Sequence, residues 1–455
     1  MADELSPADR SSLAAEQGPV NMAVGGVLVF ESGPGLAHDA VIERLESRLH
    51  LIPRYRQRLE QPTPGGLTNP VWIDDKTFDA SWHVRRATTD DLGRLVGHEM
   101  SRRLDRSRPL WEMTIVDGFA AGRTALVPKM HHALVDGVAA IDVGTVVLDP
   151  SPEPLDLAPG EPWEPKPFDR RRHLARLATT PMFQAQRLFV QGAERALGAA
   201  DPRRATSDLR KATELLAELA RNRPQAPSTF LNRGIGPNRR YAMARAPLEA
   251  LKTAAKAAGG TVNDAILAAV AGMLARLFEQ AGEQPSRAPV ALVPVSVRRP
   301  GEEGGNRIST VLVDLPALGA SPAQRVAEVH ASMTALKDSA AVRAGALLVG
   351  ASGWAPPLVS STLARAMGGV RAFNLVVSNI PGPQVPFYMN GSRLLEVYPV
   401  VPLNPASQGL TVGVLSYDGA VHFGLLADRD LEPSVDAACQ ALVEALAELT
   451  VSPPA

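Results

Sequence analysis

The chain has 455 residues, 45% hydrophobic and 21% charged, with a formal net charge of −1. That length exceeds what one ordinary core supports, so two domains or one duplicated body are expected, with the composition of a folded globular protein. The near-neutral charge argues against a general polyanion binder, which must neutralise many phosphates, and the single cysteine, Cys439, cannot form an internal disulfide and fits a reducing compartment.

The first residues, Met1-Ala2-Asp3-Glu4-Leu5, are acidic and lead into no apolar run, so no ordinary secretory signal is expected. Residues 20–30 have a strand pattern. Residues 38–60 read as an amphipathic helix with Val41, Leu45, Leu49 and Leu51 on one side. A second helix is expected over 89–103, ahead of Pro109-Leu110-Trp111-Glu112. Strands over 112–116 and 124–130 follow, separated by the turn residues Asp117-Gly118 and Ala121-Gly122. Next comes His131-His132-Ala133-Leu134-Val135-Asp136-Gly137, then a buried helix over 138–148 closed by Asp149-Pro150.

Residues 150–168 carry seven prolines and read as a linker. A helical stretch over 170–223 is basic, with thirteen Lys or Arg against six Asp or Glu between Lys166 and Arg223. It is either a solvated helical face or a surface that meets anionic lipid or cofactor phosphates. The second half opens at Ser228-Thr229-Phe230-Leu231-Asn232. Its strongest helix spans 261–278, where Ile266, Leu267, Val270, Met273, Leu274 and Leu277 repeat at helical spacing. Strands are expected over 290–297, 308–315, 374–377, 411–417 and 420–426, with Pro294 pointing to an edge or bulged position. Residues 344–364 are uncharged and about long enough to span a bilayer, but Pro356-Pro357 and three glycines divide them, which favours a buried or membrane-touching element. The alternation of helices and strands suggests an α/β or α+β sandwich in two copies, with no short sequence repeat.

The histidine segment suits one kind of chemistry. Acyl transfer from a thioester to an alcohol needs a base near neutral pKa and donors for a developing oxyanion, but no covalent acyl-enzyme. One of His131 and His132 can be that base, because adjacent residues in extended backbone face opposite ways. Asp136 can hold the turn, and Gly137 permits close backbone approach. Zinc is the competing reading, disfavoured because the ligands are crowded and no third histidine or cysteine lies close by. A purely structural role is the other. Asn263, before an apolar helix, reads locally as an N-cap, and Trp111 as a core residue.

Leu5-Ser6-Pro7-Ala8-Asp9, Pro109-Leu110-Trp111, His-His-x-x-x-Asp-Gly from His131, Asn263-Asp264 and Ser378-Asn379-Ile380-Pro381-Gly382-Pro383 stand in this order along the chain. In combination they resemble the bacterial wax ester synthase/diacylglycerol acyltransferase family of the coenzyme-A-dependent acyltransferases, over nearly the whole chain. Ile380, where valine is common, is the visible departure. The resemblance implies two chloramphenicol-acetyltransferase-like domains, residues 1–165 and 228–455, joined by a basic helical linker over 166–227, with a tunnel at their junction. It implies acyl-CoA as co-substrate, no tightly bound cofactor or metal, and diacylglycerol or a long-chain alcohol as acceptor. By that likeness His132 is the general base, His131 supports the loop, and Asp136 is structural, with Arg298 as its candidate partner. Asn263 helps position the reacting groups or stabilise the oxyanion. Pro109, Leu110, Trp111, Asp264, Ser378, Asn379, Pro381, Gly382 and Pro383 are expected around the substrate. A cytoplasmic protein held peripherally at the inner face of the membrane or on lipid inclusions is expected, and no nucleic-acid partner. Two other functions remain open at this point: a condensation-type transferase with a carrier-bound donor, and a non-catalytic lipid-binding protein.

Overall fold

The computed structural model describes residues 3–63, 68–134, 144, 146–155, 157, 160–179, 226–296, 308–316, 318–337, 371–403 and 407–451. The first half runs β1 (Asp3–Glu4), α1 (Pro7–Ala15), β2 (Ala23–Glu31), α2 (His38–Arg48), β3 (Gln57–Glu60), β4 (Val71–Asp74), α3 (Ala80–His83), β5 (Val84–Thr88), α4 (Leu92–Ser101), β6 (Trp111–Asp117), β7 (Arg123–His131) and α5 (Arg170–Thr179). The second half runs β8 (Arg239–Pro247), α6 (Leu248–Ala257), α7 (Val262–Ala281), β9 (Val290–Ser296), β10 (Ile308–Asp314), α8 (Pro322–Lys337), β11 (Leu375–Pro381), β12 (Tyr388–Met389), β13 (Ser392–Val400), β14 (Leu410–Tyr417), β15 (Ala420–Asp428) and α9 (Val435–Val451).

Local chemistry explains the boundaries that matter for the site. α1 begins at a capping box, in which Ser6 Oγ accepts the Asp9 N–H and the Asp9 carboxylate accepts the Ser6 N–H, with Pro7 in the first turn. α2 ends at Arg48, well short of the helix expected to residue 60. Pro53 opens a 3-10 turn there, and the chain then turns into β3. Val41, Leu45 and Leu49 are buried as expected, whereas Leu51, past the helix end, is 45% exposed. α7 is capped by Thr261, whose hydroxyl accepts the Asp264 N–H, so Asn263 sits inside the first turn and is not the cap.

Two six-stranded sheets form the body, in the orders β12-β13-β2-β7-β6-β5 and β10-β9-β11-β14-β15-β8. β9 is therefore not an edge strand. Its pairing with β11 stops at Leu292, so Pro294 removes no donor from that ladder. α6, α7, α8 and α9 share one apolar core with the inner face of the second sheet.

The expected division at 165 and 228 does not divide the sheets. β13, from the second half, completes the first sheet by pairing antiparallel with β2, placing Val397 opposite Leu28 and Pro399 opposite Gly26. It is also clasped by the second sheet. The Pro399 carbonyl accepts a hydrogen bond from Tyr241 Oη at 2.9 Å and lies where a Cβ on Gly424 would approach to 2.0 Å. Gly424 pairs with Gly413, and a side chain at Gly424 would push the two sheets apart.

Asp136, Gly137, Arg298, most of the helix expected over 138–148, the uncharged stretch over 344–364 and the basic helical stretch beyond Thr179 lie outside the described residues. Among the described residues no single helix is long and apolar enough to cross a membrane.

Candidate active site

β7 ends at His131, and the chain turns immediately. His131 is 1% exposed. Its backbone N–H donates to the Leu110 carbonyl at 3.0 Å, and its Nδ1 accepts the Ala133 N–H at 3.0 Å. That second bond occupies the lone pair of Nδ1, so in the neutral ring the proton is on Nε2. His132 is only half-buried. Its N–H donates to the Met22 carbonyl at 2.8 Å, and its Nδ1 lies 3.5 Å from Ser12 Oγ.

Beneath both rings runs α1. Glu16, just past its end, accepts the Met22 N–H at 3.2 Å and the Arg106 guanidinium at 2.7 Å, and lies 3.7 Å from His131 Nε2. Burial by itself would raise this carboxyl, but His131, Arg106 and the Met22 N–H outweigh it and hold it at about 2. A carboxyl so depressed adds stability in full above its ordinary value of 4.5 and loses it as pH falls towards 2. The histidine-centred reading of the sequence missed Ser12 and Glu16. Their signal was the Leu5-Ser6-Pro7-Ala8-Asp9 segment, which starts the helix that delivers them one turn apart.

Of Pro109-Leu110-Trp111, only Trp111 reaches a cavity. Leu110 is fully buried among Leu5, Trp72, Leu104 and Ala133, supporting the histidine turn from below, and Pro109 is buried beside it. Trp111 stacks on His83 with centroids 4.4 Å apart and planes 15° apart, and its indole N–H donates to the Tyr55 carbonyl at 2.8 Å. The His83 Nδ1–H donates to the Trp111 carbonyl at 2.7 Å, so the indole is held by ring and backbone together.

The cavity that Trp111 walls has a volume of about 210 Å³ and is almost wholly apolar. Leu28 of β2, Met130 of β7, Val397 of β13 and Leu415 of β14 place it between the two sheets, with Leu45 and Leu49 of α2 on another side. Glu112 is the acidic residue in its wall, and Arg85 and Arg102 hold that carboxylate at 3.1 and 3.2 Å.

In the second half, Asn379 of β11 donates from Nδ2 to Asn263 Oδ1 at 3.0 Å. With its oxygen taken, what Asn263 has left to offer is its own N–H donors, which is what an oxyanion requires. Met130, one residue before the histidines, and Ile380, one residue after Asn379, both line the cavity. Asn379→Ala is therefore expected to lower kcat about three- to tenfold by freeing the Asn263 amide to rotate, checked by steady-state kinetics on the folded variant.

Asp264, expected beside a substrate, is turned inward. Its carboxylate accepts from the Thr261 N–H, the Thr261 hydroxyl and His330 Nδ1, each at 2.8 Å, and so completes the helix cap. Pro383 lines the cavity with Ile380. Gly382 turns the chain against β14, its N–H donating to Ser416 Oγ at 3.2 Å where a Cβ would meet the Ser416 carbonyl at 2.4 Å. Ser378 is a half-buried position within β11, and Pro381, at its end, is exposed. Among the described residues no three His, Cys, Asp or Glu side chains converge as metal ligands would.

Comparison with known proteins agrees across the chain. Residues 5–266 match the family model described as the wax ester synthase/diacylglycerol acyltransferase catalytic domain, and residues 304–450 match the model of the C-terminal domain of the same family. The chain is similar to a putative diacylglycerol O-acyltransferase of Mycobacterium tuberculosis, at 33% identity over 98% of this chain and 99% of the relative. A Mycobacterium bovis protein of the same description is 32% identical, over 98% of each chain. The solved wax ester synthase/diacylglycerol acyltransferase of Marinobacter aquaeolei VT8 superposes with a TM-score of 0.67 at 26% identity, over 98% of each chain. The starter condensation domain of rhizomide synthetase, solved with C8-CoA, superposes with a TM-score of 0.56 at 15% identity over 99% of this chain and 95% of its own, a likeness of fold alone.

Proposed function

The chain belongs to the wax ester synthase/diacylglycerol acyltransferase family, and on that premise we propose that it moves a long-chain acyl group from acyl-CoA to diacylglycerol, to a long-chain alcohol, or to both. His132 is the general base of this reaction. The observation that carries the assignment is the state of its neighbour: His131 is buried with Nδ1 accepting the Ala133 N–H, whereas His132 is half-buried and turns its Nδ1 towards Ser12. In the tautomer that directs an Nδ1–H at Ser12, the basic lone pair of His132 is on Nε2, which is the atom we assign to take the proton.

The acceptor hydroxyl loses its proton to His132 as its oxygen attacks the thioester carbonyl. The oxyanion of the tetrahedral adduct is stabilised by N–H donors, with Asn263 as one of them. As the adduct collapses the C–S bond breaks, the imidazolium returns its proton to the departing sulfur, and ester and free CoA result. The apolar cavity, walled by Trp111, Leu415 and Tyr417, suits a hydrocarbon chain and excludes water from the thioester.

The protein works in the cytoplasm, held peripherally against the inner face of the membrane or lipid inclusions. Both acceptors are apolar, α5 opens with Arg170, Arg171 and Arg172, and Leu51 and Val385 stand exposed near the cavity-wall residues Ile52 and Pro383 in the chain. The experiment is an acceptor panel. Vesicles carrying diacylglycerol or hexadecanol are incubated with protein and radiolabelled palmitoyl-CoA, and labelled ester, free CoA and vesicle-bound protein are measured. Ester formation with at least one acceptor is expected, with protein sedimenting alongside the vesicles. No ester with either acceptor, or turnover only from a carrier-bound acyl group, would sink the proposal.

A further inference from the structure

Under the histidine turn lies a carboxylate that the reaction above does not use. The Glu16 side chain is 2% exposed, and both its oxygens are engaged. An ionised group so buried is costly unless its partners repay it. Neutralising Arg106 is a weak reason for Glu16 to be there, because that side chain is 48% exposed and already solvated. The remaining partners lead to the histidines. Met22 gives its N–H to Glu16, and its carbonyl receives the His132 N–H. His131, with Nδ1 occupied as an acceptor, presents its Nε2–H towards Glu16 at 3.7 Å, too long for a hydrogen bond and a contact between the N–H dipole and the carboxylate.

We propose that Glu16 is a positioning residue for the acyl transfer, holding His132 through the backbone of Met22 and through the ring of His131. The inference rests on His132 being the base. Glu16 acts on a turn whose far side is the cavity wall at Met130, so a displaced turn moves the base relative to the thioester.

The test replaces Glu16 with glutamine, keeping its size and removing its charge. A fall in kcat of about 10- to 100-fold is expected, since a misplacement of about 1 Å costs on that scale, with KM for palmitoyl-CoA within about twofold. A merely structural carboxylate would lower the unfolding midpoint and leave kcat per folded molecule at the wild-type value, and that result overturns the inference. Should the glutamine variant not fold, Glu16→Asp carries the test. Its carboxylate is one methylene short of both arms, so an intermediate kcat supports the role and an unchanged kcat overturns it. His132→Ala is assayed in parallel. If it stays active, the base assignment fails; if it is inactive while Glu16→Gln keeps its kcat, only the present inference fails.

Discussion

Replacing His132 with alanine is expected to lower kcat by about a hundredfold or more, with KM for acyl-CoA little changed, because a general base acts in the transition state and contributes little to ground-state binding. The neighbouring ring cannot take over. His131 is 1% exposed, its Nδ1 accepts the Ala133 N–H, and its other nitrogen faces Glu16. His131→Ala removes the support and not the base, so its loss of kcat is expected to be smaller and to come with a lower unfolding midpoint. CoA release from palmitoyl-CoA and alcohol, measured on variants shown to be folded, separates the two. Near wild-type turnover by His132→Ala would remove the central assignment.

Trp111→Ala is expected to cost about 3–5 kcal/mol of stability, the range for emptying a buried aromatic site. Three contacts go at once: the stack on His83 at 4.4 Å, the indole hydrogen bond to the Tyr55 carbonyl, and the packing that closes the cavity. The Tyr55 carbonyl is left without that donor in a buried setting, which adds to the loss. Trp111→Phe keeps a ring against His83 and gives up the N–H, so it is expected to cost about 1–2 kcal/mol. Chemical denaturation of the three proteins measures this, and equal midpoints for wild type and Trp111→Ala would show that the indole is not a structural wall.

The strands around the histidines were readable because they are apolar, bounded by turn glycines and close in sequence: β6 and β7 lie within a residue or two of their expected limits. β13 was not read at all. Burial alternates from Ser392 to Val400, but the sequence does not, with Leu394-Leu395 and Val397-Tyr398 adjacent and Ser392 and Glu396 on the buried side; its partner β2 is also far away in the chain, and no local pattern names a partner. Asn263 shows the opposite case. A capping residue is a local signal, yet it pointed to Asn263, two residues past the true cap at Thr261. The partner of Asn263 is Asn379, more than a hundred residues on, which sequence spacing alone cannot place. Glu16 escaped notice because an isolated acid near a helix end ordinarily faces water, and only the folded path of Met22 and Arg106 turns it inward.

The crossover of β13 has a consequence for biosynthesis. β2 emerges early from the ribosome and can pair with β7 on one side, but its other edge stays open until the segment from Ser392 to Val400 has been made. At about 5–20 residues per second that interval is roughly 20–70 s. Throughout it the nascent chain carries an apolar strand with unsatisfied backbone groups, the kind of edge that recruits other strands. That exposure closes only when the last third of the chain arrives.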